Sequence, residues 1–281
     1  MDAARIGSTV FAGGLLFLVA APACETRALA DLPATPTTIA APSLKAATAP
    51  AAPPPATLPA ASACPEGMVE VEGDYCPTLE QPCKRWVTGD KSFPRRCAEF
   101  APSGACQAPT VHKRFCIDRF EYPNREGATP VVMKTWYEAQ ATCEAQGKRL
   151  CGGSEWTLAC EGQERLPYPY GLERSAEACN IDKPHPAVNE KALARAKTRD
   201  AEVARLWQGE SSGARAQCKS SYGVFDMTGN VDEWVVNERG VPFKSGLKGG
   251  YWGPVRDRCR PMTTVHGEDF SFYQIGFRCC R

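Results

Sequence analysis

The sequence predicts an irregular, loop-rich α+β domain that is held together by several disulfide bonds. The chain of 281 residues contains 15 cysteines, which a reducing cytosol would leave as reactive free thiols. Its strand and helix patterns are short, and turn residues separate them, since the chain contains 24 glycines and 24 prolines. We therefore expect a mature protein of short elements and long loops in an oxidising compartment.

Composition and charge limit the classes of partner. The chain is 43% hydrophobic, which allows one large domain or two small ones. Its formal net charge is only +1, so it lacks the basic excess that is typical of proteins that bind nucleic acids. We expect no nucleic-acid partner.

The first 23 residues have the pattern of a signal peptide. Arg5 precedes an apolar run from Val10 to Ala21, which is too short to span a bilayer and has the length of a signal-peptide core. Ala21-Pro22-Ala23 supplies a small-x-small cleavage site, and Cys24 follows it. This order resembles a bacterial lipoprotein signal, so we expect export to the cell envelope and a lipid anchor at Cys24. Simple secretion, with Cys24 free or paired, is the alternative.

Residues 24–63 are predicted to be a tether. Between Asp31 and Ala63 the chain is almost entirely Ala, Pro, Thr and Ser, with eight prolines from Pro33 to Pro59. Such a segment cannot form a core and should be extended and polyproline-like. A disordered leader without an anchoring role is the alternative.

From residue 64 onward the composition becomes globular. The first part of this region carries six cysteines: Cys64, Cys76, Cys83, Cys97, Cys106 and Cys116. Disulfide-stapled loops with short strands, such as Met68–Val71, are the natural interpretation, and the sequence leaves the connectivity open. A zinc site is the alternative, but the spacing contains no Cys-x2-Cys pair and His112 is the nearest imidazole.

Alternating apolar and polar residues from Phe115 to Asn124 predict a strand with one buried face. A helix is predicted over 135–147, with Thr135 as its cap, Gly147 at its end, and Trp136, Ala139 and Cys143 on one face.

Two further helices are predicted. The first runs from Ser154, its expected cap, to Cys160. The second covers residues 189–207, with a partial apolar stripe among Lys and Arg side chains that form a solvated face.

Residues 222–234 have the composition of a calcium-binding loop. Asp226 and Glu233 offer hard carboxylate oxygens, and the turn can direct the carbonyls of Gly229 and Val231 to the same centre. An ordinary Asp, Gly and Asn turn is the alternative.

Five motifs, taken in order, resemble the formylglycine-generating enzyme family, which is also called the sulfatase-modifying factor domain. The motifs are Lys148–Trp156, Tyr168–Gly171, Asp226–Trp234, Lys248–Gly250 and Ile275–Cys279. The resemblance covers roughly residues 66–281, so we assign 64–281 to one domain of this type. It implies an irregular mixed fold that resembles C-type lectins and contains structural calcium.

The resemblance also assigns residues. It implies calcium ligands at Asp226, Gly229, Val231 and Glu233, and a second calcium site that begins at Asn180 and Ile181. It further implies two disulfides, Cys143 with Cys279 and Cys160 with Cys259.

The chain departs from the catalytic members between Gly250 and Cys259. These members carry a serine and two cysteines that hold copper, whereas this chain has Tyr251 at the serine position and only Cys259. Copper(I) bound linearly needs two thiolates, so we expect neither copper nor catalytic residues here. The alternative is an altered copper site made from the thiolates of Cys280 and Cys259.

Other active sites have little support in the sequence. His112, His185 and His266 are widely separated, so no iron-binding triad is visible. A Ser271, His266 and Asp269 arrangement can be drawn, but any loop rich in these residues allows it.

The favoured function is a non-catalytic, exported and lipid-anchored domain that binds a peptide, glycan or envelope partner. Its groove would be lined by Trp252, Phe270, Phe272 and Tyr273, unless these rings are buried in the core. The alternative is an oxygen-dependent oxidoreductase that converts a protein cysteine to formylglycine in sulfatase maturation.

Overall fold

The computed structural model describes residues 63–91 and 95–281. The predicted signal peptide, Cys24 and the tether up to residue 62 lie outside this part. Within it, the helices are all too short or too polar to cross a membrane.

In the described residues, ten short strands and four helices form an α+β arrangement, as the sequence predicts. The strands are β1 Met68–Tyr75, β2 Cys83–Trp86, β3 Cys97–Phe100, β4 Val111–Asp118, β5 Arg149–Leu150, β6 Asp232–Val236, β7 Ser245–Lys248, β8 Met262–Thr263, β9 Ile275–Phe277 and β10 Cys279–Cys280. The helices are α1 Trp136–Glu144, α2 Gly153–Glu161, α3 Glu190–Leu193 and α4 Ala196–Leu206. Long connections without regular structure join most of these elements.

Two four-stranded sheets and one hairpin organise the strands. The first sheet has the order β1-β4-β10-β5, and the second has the order β8-β7-β6-β9, with β6 and β9 parallel. The hairpin consists of β2 and β3. Because β9 and β10 are nearly consecutive and belong to different sheets, the C-terminal residues connect the two sheets.

The strand predicted over 115–124 ends earlier than expected, at Asp118. A tight turn follows, in which Asn124 adopts a φ of 56° and its side-chain oxygen accepts a hydrogen bond from the Phe120 amide. The Asn124 amide group also donates to Asp118 Oδ1. This local network ends the strand, because the Phe120 amide donates to a side chain of the turn and no longer to a neighbouring strand.

The helix predicted over 135–147 is confirmed as α1. Thr135 caps it in a reciprocal capping box with Glu138. Trp136, Ala139 and Cys143 are buried on one face. Gly147 lies just past the end with a φ of 66°, a conformation that favours glycine.

The other two helix predictions need correction. Helix α2 begins one residue earlier than expected and has Gly152 as its cap, because Ser154 instead binds Glu238 through both its amide and its hydroxyl. The helix predicted over 189–207 is divided into α3 and α4 by Arg195, whose backbone is extended.

Seven disulfides join all fourteen cysteines of the described residues. The six N-terminal cysteines pair as 64–116, 76–106 and 83–97, which leaves no thiolate there for zinc. Cys143 is joined to Cys279 and Cys160 to Cys259, the two pairs that the resemblance implies. The remaining bridges are 151–280 and 179–218. Loops that bury little surface of their own are thereby fixed to the sheets.

The main apolar core lies between the first sheet and α2. Val71 and Ile117 face Trp156 and Leu158, and all four are fully buried. A second apolar cluster packs α1 against β6 and β9 through Trp136, Trp234 and Phe277. Both clusters border the loop that precedes β6, which is the loop that the sequence singles out.

Candidate functional site

The predicted calcium loop is a tight, buried turn between the two cores. Asp226, Gly229 and Asn230 all have positive φ values, of 58°, 80° and 56°. A side chain at position 229 would lie only 2.3 Å from the Asn180 carbonyl oxygen and 2.5 Å from the Ile181 side chain. Only glycine fits there, and the two sequence segments predicted to bind calcium are therefore in direct contact.

Glu233 is paired with an arginine that the sequence does not link to it. Arg278 Nε donates to Glu233 Oε2 at 2.7 Å, and Arg278 Nη2 donates to Oε1 at 2.6 Å. Trp156 Nε1 also donates to Oε2, at 2.8 Å. The side chains of Arg278 and Glu233 are 0% and 1% exposed, so this is a fully buried bidentate ion pair.

Two further carboxyl groups lie beside this pair. Asp226 Oδ2 accepts a hydrogen bond from the Gly213 amide at 2.7 Å, and burial raises the pKa of Asp226 to about 6. Glu121 accepts hydrogen bonds from the side-chain amide of Asn230 and from the Ser212 hydroxyl. Burial, together with the charges of Asp226 and Glu233, raises the pKa of Glu121 well above its ordinary value. Sequence reasoning missed Glu121, because only folding brings it to the loop.

Hydrogen bonds within the protein occupy most of the lone pairs that Glu233 would offer to a calcium ion. Oε2 accepts hydrogen bonds from Arg278 and Trp156, and Oε1 accepts one from Arg278, so only Oε1 keeps a free lone pair. Within residues 63–91 and 95–281, no group of three or more His, Cys, Asp or Glu side chains is arranged to hold a metal. Calcium at Asp226, Gly229, Val231 and Glu233 stays a prediction from the resemblance.

The second predicted site also carries positive charge from the protein. The backbone carbonyl of Asn180 accepts a hydrogen bond from the backbone N–H of Asn230 at 2.9 Å. The nearby carboxylate of Glu210 is paired with Lys183 at 3.0 Å and with Arg215 at 2.6 Å. Lys183 and Arg215 therefore place two positive charges beside the second predicted site. The buried Asn180 Oδ1 has no hydrogen-bond partner among the described residues.

The segment from Gly250 to Cys259 holds no thiol. Cys259 is bonded to Cys160, and Cys280 is bonded to Cys151. A two-thiolate site made from Cys280 and Cys259 is therefore wrong, since both sulfurs are in disulfides. The Lys248 ammonium fixes the end of this segment by donating to the Cys259 carbonyl at 2.6 Å and to the Arg260 carbonyl at 2.8 Å.

Two of the four rings proposed for an aromatic groove are buried in the core, which is the alternative that the sequence left open. Trp252 and Tyr273 are 0% exposed and form an apolar cluster with Leu206. Phe270 and Phe272 are only partly buried and pack against the edges of two clusters. Trp252 and Tyr273 are thus core residues, because α3 and α4 cover them.

A concave surface that the sequence analysis missed lies beside the Gly250–Cys259 segment. It is a cavity of about 500 Å³, and the residues that line it include no carboxylate. Five arginines contribute to its wall: Arg95, Arg96, Arg174, Arg256 and Arg258. They are far apart in the sequence, so no local pattern could have indicated the cavity.

The fold and this site define a disulfide-rich α+β domain with ion pairs in the segment where the catalytic members of the family that it resembles carry thiols. Residues 84–281 match the family model described as the sulfatase-modifying factor enzyme 1-like domain. The chain belongs to this family. The fold expected from the sequence motifs is therefore confirmed.

Curated relatives carry different names. The chain is 28% identical over 159 residues to the inactive C-alpha-formylglycine-generating enzyme 2 of Bos taurus, and the matched region covers 53% of this chain and 49% of that protein. It is 29% identical over 174 residues to the serine/threonine-protein kinase pkn1 of Chlamydia caviae, which covers 54% of this chain and 24% of the kinase. The chain thus spans half or less of the length of these relatives.

Two solved structures have similar backbones. CarF matches with 17% sequence identity and a TM-score of 0.46, covering 77% of this chain and 98% of CarF. PvdO from Pseudomonas aeruginosa matches with 16% identity and a TM-score of 0.47, covering 76% of this chain and 93% of PvdO.

Proposed function

We propose that this protein is a non-catalytic member of the sulfatase-modifying factor family that acts as a binding domain. The observation that carries the proposal is the state of the cysteines. All fourteen in the described residues form disulfides, among them Cys259 and Cys280. Oxidation of a substrate cysteine by a copper site needs thiolates that can bind the metal, and a disulfide sulfur offers none.

The other side chains of the Gly250–Cys259 segment also support a structural role. Arg256 Nη2 donates to Asp232 Oδ1 at 2.6 Å and to the Leu247 carbonyl at 2.9 Å. Asp257 is fully buried and pairs with Arg174. A segment held by ion pairs and a disulfide is suited to present a fixed surface.

The names of the mammalian relatives agree with the proposal. The bovine protein and its Mus musculus counterpart, which is 28% identical to this chain, both carry the word inactive in their names. Loss of the enzymatic activity is thus described within the family. The oxygen-dependent cysteine oxidase stays the alternative function.

We further propose that the domain is exported and anchored to the bacterial envelope through Cys24. The seven disulfides support an oxidising compartment, and the lipoprotein-like signal supports the anchor. A tether of residues 24–63 would hold the domain away from the membrane, where a peptide, glycan or envelope partner is accessible. Structural calcium in the predicted loop would belong to the fold and have no part in chemistry.

Copper(I) titration of the oxidised full chain tests the central proposal. We expect no stoichiometric tight binding, because the described domain offers no thiol. A thiol assay under denaturing, non-reducing conditions should detect Cys24 alone, or none if Cys24 is lipidated. Tight binding of one copper(I), or two reactive thiols, would overturn the proposal and favour the oxidase.

A further inference from the structure

We propose that the arginine-lined cavity binds a small organic anion, namely a carboxylate or phosphate attached to a flat ring. This inference rests on the proposed binding function and names the chemistry of the ligand. The cavity has a volume of about 500 Å³, within the range of about 300–1,000 Å³ that is typical of small-molecule sites. It is larger than a single inorganic anion requires.

Three of the arginines are held in place by carboxylates that do not line the cavity. Asp182 binds both Arg96, at 2.6 Å, and Arg174, at 2.7 Å. Asp232 binds Arg256 at 2.6 Å. These pairs fix the guanidinium groups at the wall, so they need not lose side-chain freedom when a ligand binds.

Among the residues that the structure describes, the other two arginines have no carboxylate partner. Arg258 lies over the ring of Phe100 at 5.2 Å, and Arg95 lies over the ring of Trp86 at 5.1 Å. No carboxylate in the described part of the chain pairs with Arg258, which is only partly buried and has Tyr168 and Arg260 as its ionisable neighbours. A guanidinium that stacks on a ring keeps its N–H edge free, and this edge matches the two oxygens of a carboxylate or phosphate.

The electrostatic environment of Arg258 also favours an anion. Burial and the positive charge of Arg260 lower the pKa of Arg258 from its ordinary value. An incoming negative charge would relieve the repulsion among these cations. The cavity thus has an excess of positive charge on its surface, with the balancing carboxylates behind the wall.

The aromatic side chains account for the flat ring of the ligand. Trp86 is 44% exposed, which is unusual for so large an apolar side chain, and it lies at the wall of the cavity. Phe100 and Tyr168 form the apolar floor, with their rings in edge contact at 5.9 Å. A ring that stacks on Trp86 would place an attached oxyanion near Arg258 and Arg95.

The cavity lies at the segment in which this chain departs from the catalytic members. Arg256 and Arg258 belong to the Gly250–Cys259 segment, where the catalytic members carry the copper-binding cysteines. In this chain the same segment contributes two guanidinium groups to a concave wall. Anion binding would replace redox chemistry at this edge of the domain.

Calorimetry with the oxidised full chain tests the proposal with four probes. Phenyl phosphate and benzoate carry both features, whereas inorganic phosphate lacks the ring and phenol lacks the oxyanion. We expect at least one of the first two to bind more tightly than both single-feature probes. Failure of both to bind at millimolar concentration, or equally tight binding of inorganic phosphate or phenol, would overturn the proposal.

Variants locate the site. Arg258→Gln should weaken binding about tenfold or more, because a charge-assisted bidentate contact is lost. Arg258→Lys should recover only part of it, and Trp86→Ala should weaken the binding of the ringed probe selectively. Arg125→Gln, which changes an exposed arginine outside the cavity, is the matched control. Unchanged affinity in Arg258→Gln would contradict the proposal.

A measurement on the protein without substitutions tests the proposal even where a variant does not fold. Phenylglyoxal modifies accessible arginines, and mass spectrometry locates the adducts. Phenyl phosphate or benzoate should protect Arg258 and leave Arg125 reactive. Equal reactivity of Arg258 with and without these ligands would overturn the inference, whereas the non-catalytic function is decided separately by the copper titration.

Discussion

Removal of the Arg278 guanidinium should destabilise the domain more than removal of any exposed arginine. This side chain donates two hydrogen bonds to Glu233, at 2.7 and 2.6 Å, and one to the Phe225 carbonyl at 2.9 Å. In Arg278→Met, a change that keeps similar bulk, Glu233 keeps only the Trp156 contact, and the carboxyls of Asp226 and Glu121 lose a positive charge that stabilises their ionised forms.

The magnitude follows from the burial of the pair. Breaking a buried ion pair by removing one partner costs about 3–5 kcal/mol, since the other charge is left without compensation. Total domain stability is on the order of 5–15 kcal/mol, so the loss is a large fraction of the free energy of unfolding. Adding Glu233→Gln to Arg278→Met should recover part of the loss, because the unpaired charge disappears as well.

Urea unfolding with the disulfides intact, followed by tryptophan fluorescence, measures these free energies. Arg149→Met is the control, because Arg149 forms an equally bidentate pair with Glu155, at 2.6 and 2.7 Å, but its side chain is 47% exposed. We expect the control to cost less than about 1 kcal/mol. If Arg278→Met is within about 1 kcal/mol of the parent, the reasoning about the buried pair is refuted.

Two further predictions concern cations and pH. The predicted calcium loop implies that a chelator lowers the melting temperature and that added calcium reverses the fall, because a cation bound only by the folded state stabilises it, and Asp226→Asn should respond less to both treatments. An unchanged melting temperature of the parent would contradict the calcium loop that the sequence motifs imply. Glu161 is 1% exposed, its Oε2 atom has no hydrogen-bond partner among the described residues, and burial raises its pKa from 4.5 to about 7. Because the folded state binds this proton more tightly than the unfolded state, the contribution of Glu161 to stability should be greatest below pH 4.5 and fall as the pH rises to about 7, by up to about 3 kcal/mol. Urea midpoints of Glu161→Gln between pH 4 and pH 8 should show a flatter profile than those of the parent, and an identical slope would contradict the assignment.

The local elements were the most predictable part of the fold. Thr135, Trp136 and Gly147 lie within one short segment, and a cap, an apolar face and a terminal glycine act over distances that the sequence displays directly. The division of the 189–207 helix was not predicted, because its stripe was incomplete and the turn at Arg195 depends on packing. Ser154 was misassigned as a cap because its partner, Glu238, lies 84 residues away.

The candidate site was predictable only in its backbone. The turn at Gly229 and Asn230 could be identified from residue types that favour positive φ values. The partner of Glu233 could not, since 45 residues separate it from Arg278. Charge partners at such distances are chosen by the packing of the sheets, and any of the 33 lysines and arginines was an equal candidate in the sequence.

By itself, the sequence determined the class of this protein: an α+β member of the sulfatase-modifying factor family, rich in disulfides. Cysteine number, ordered motifs and a short capped helix carry that information, because each depends on composition or on neighbouring residues. Only the tertiary structure decided the pairing of the N-terminal cysteines, the burial of Trp252 and Tyr273, and the gathering of five arginines around one cavity. These features depend on contacts between distant segments, whose relative positions are set by the packing of the whole core and by the bridges that close its loops.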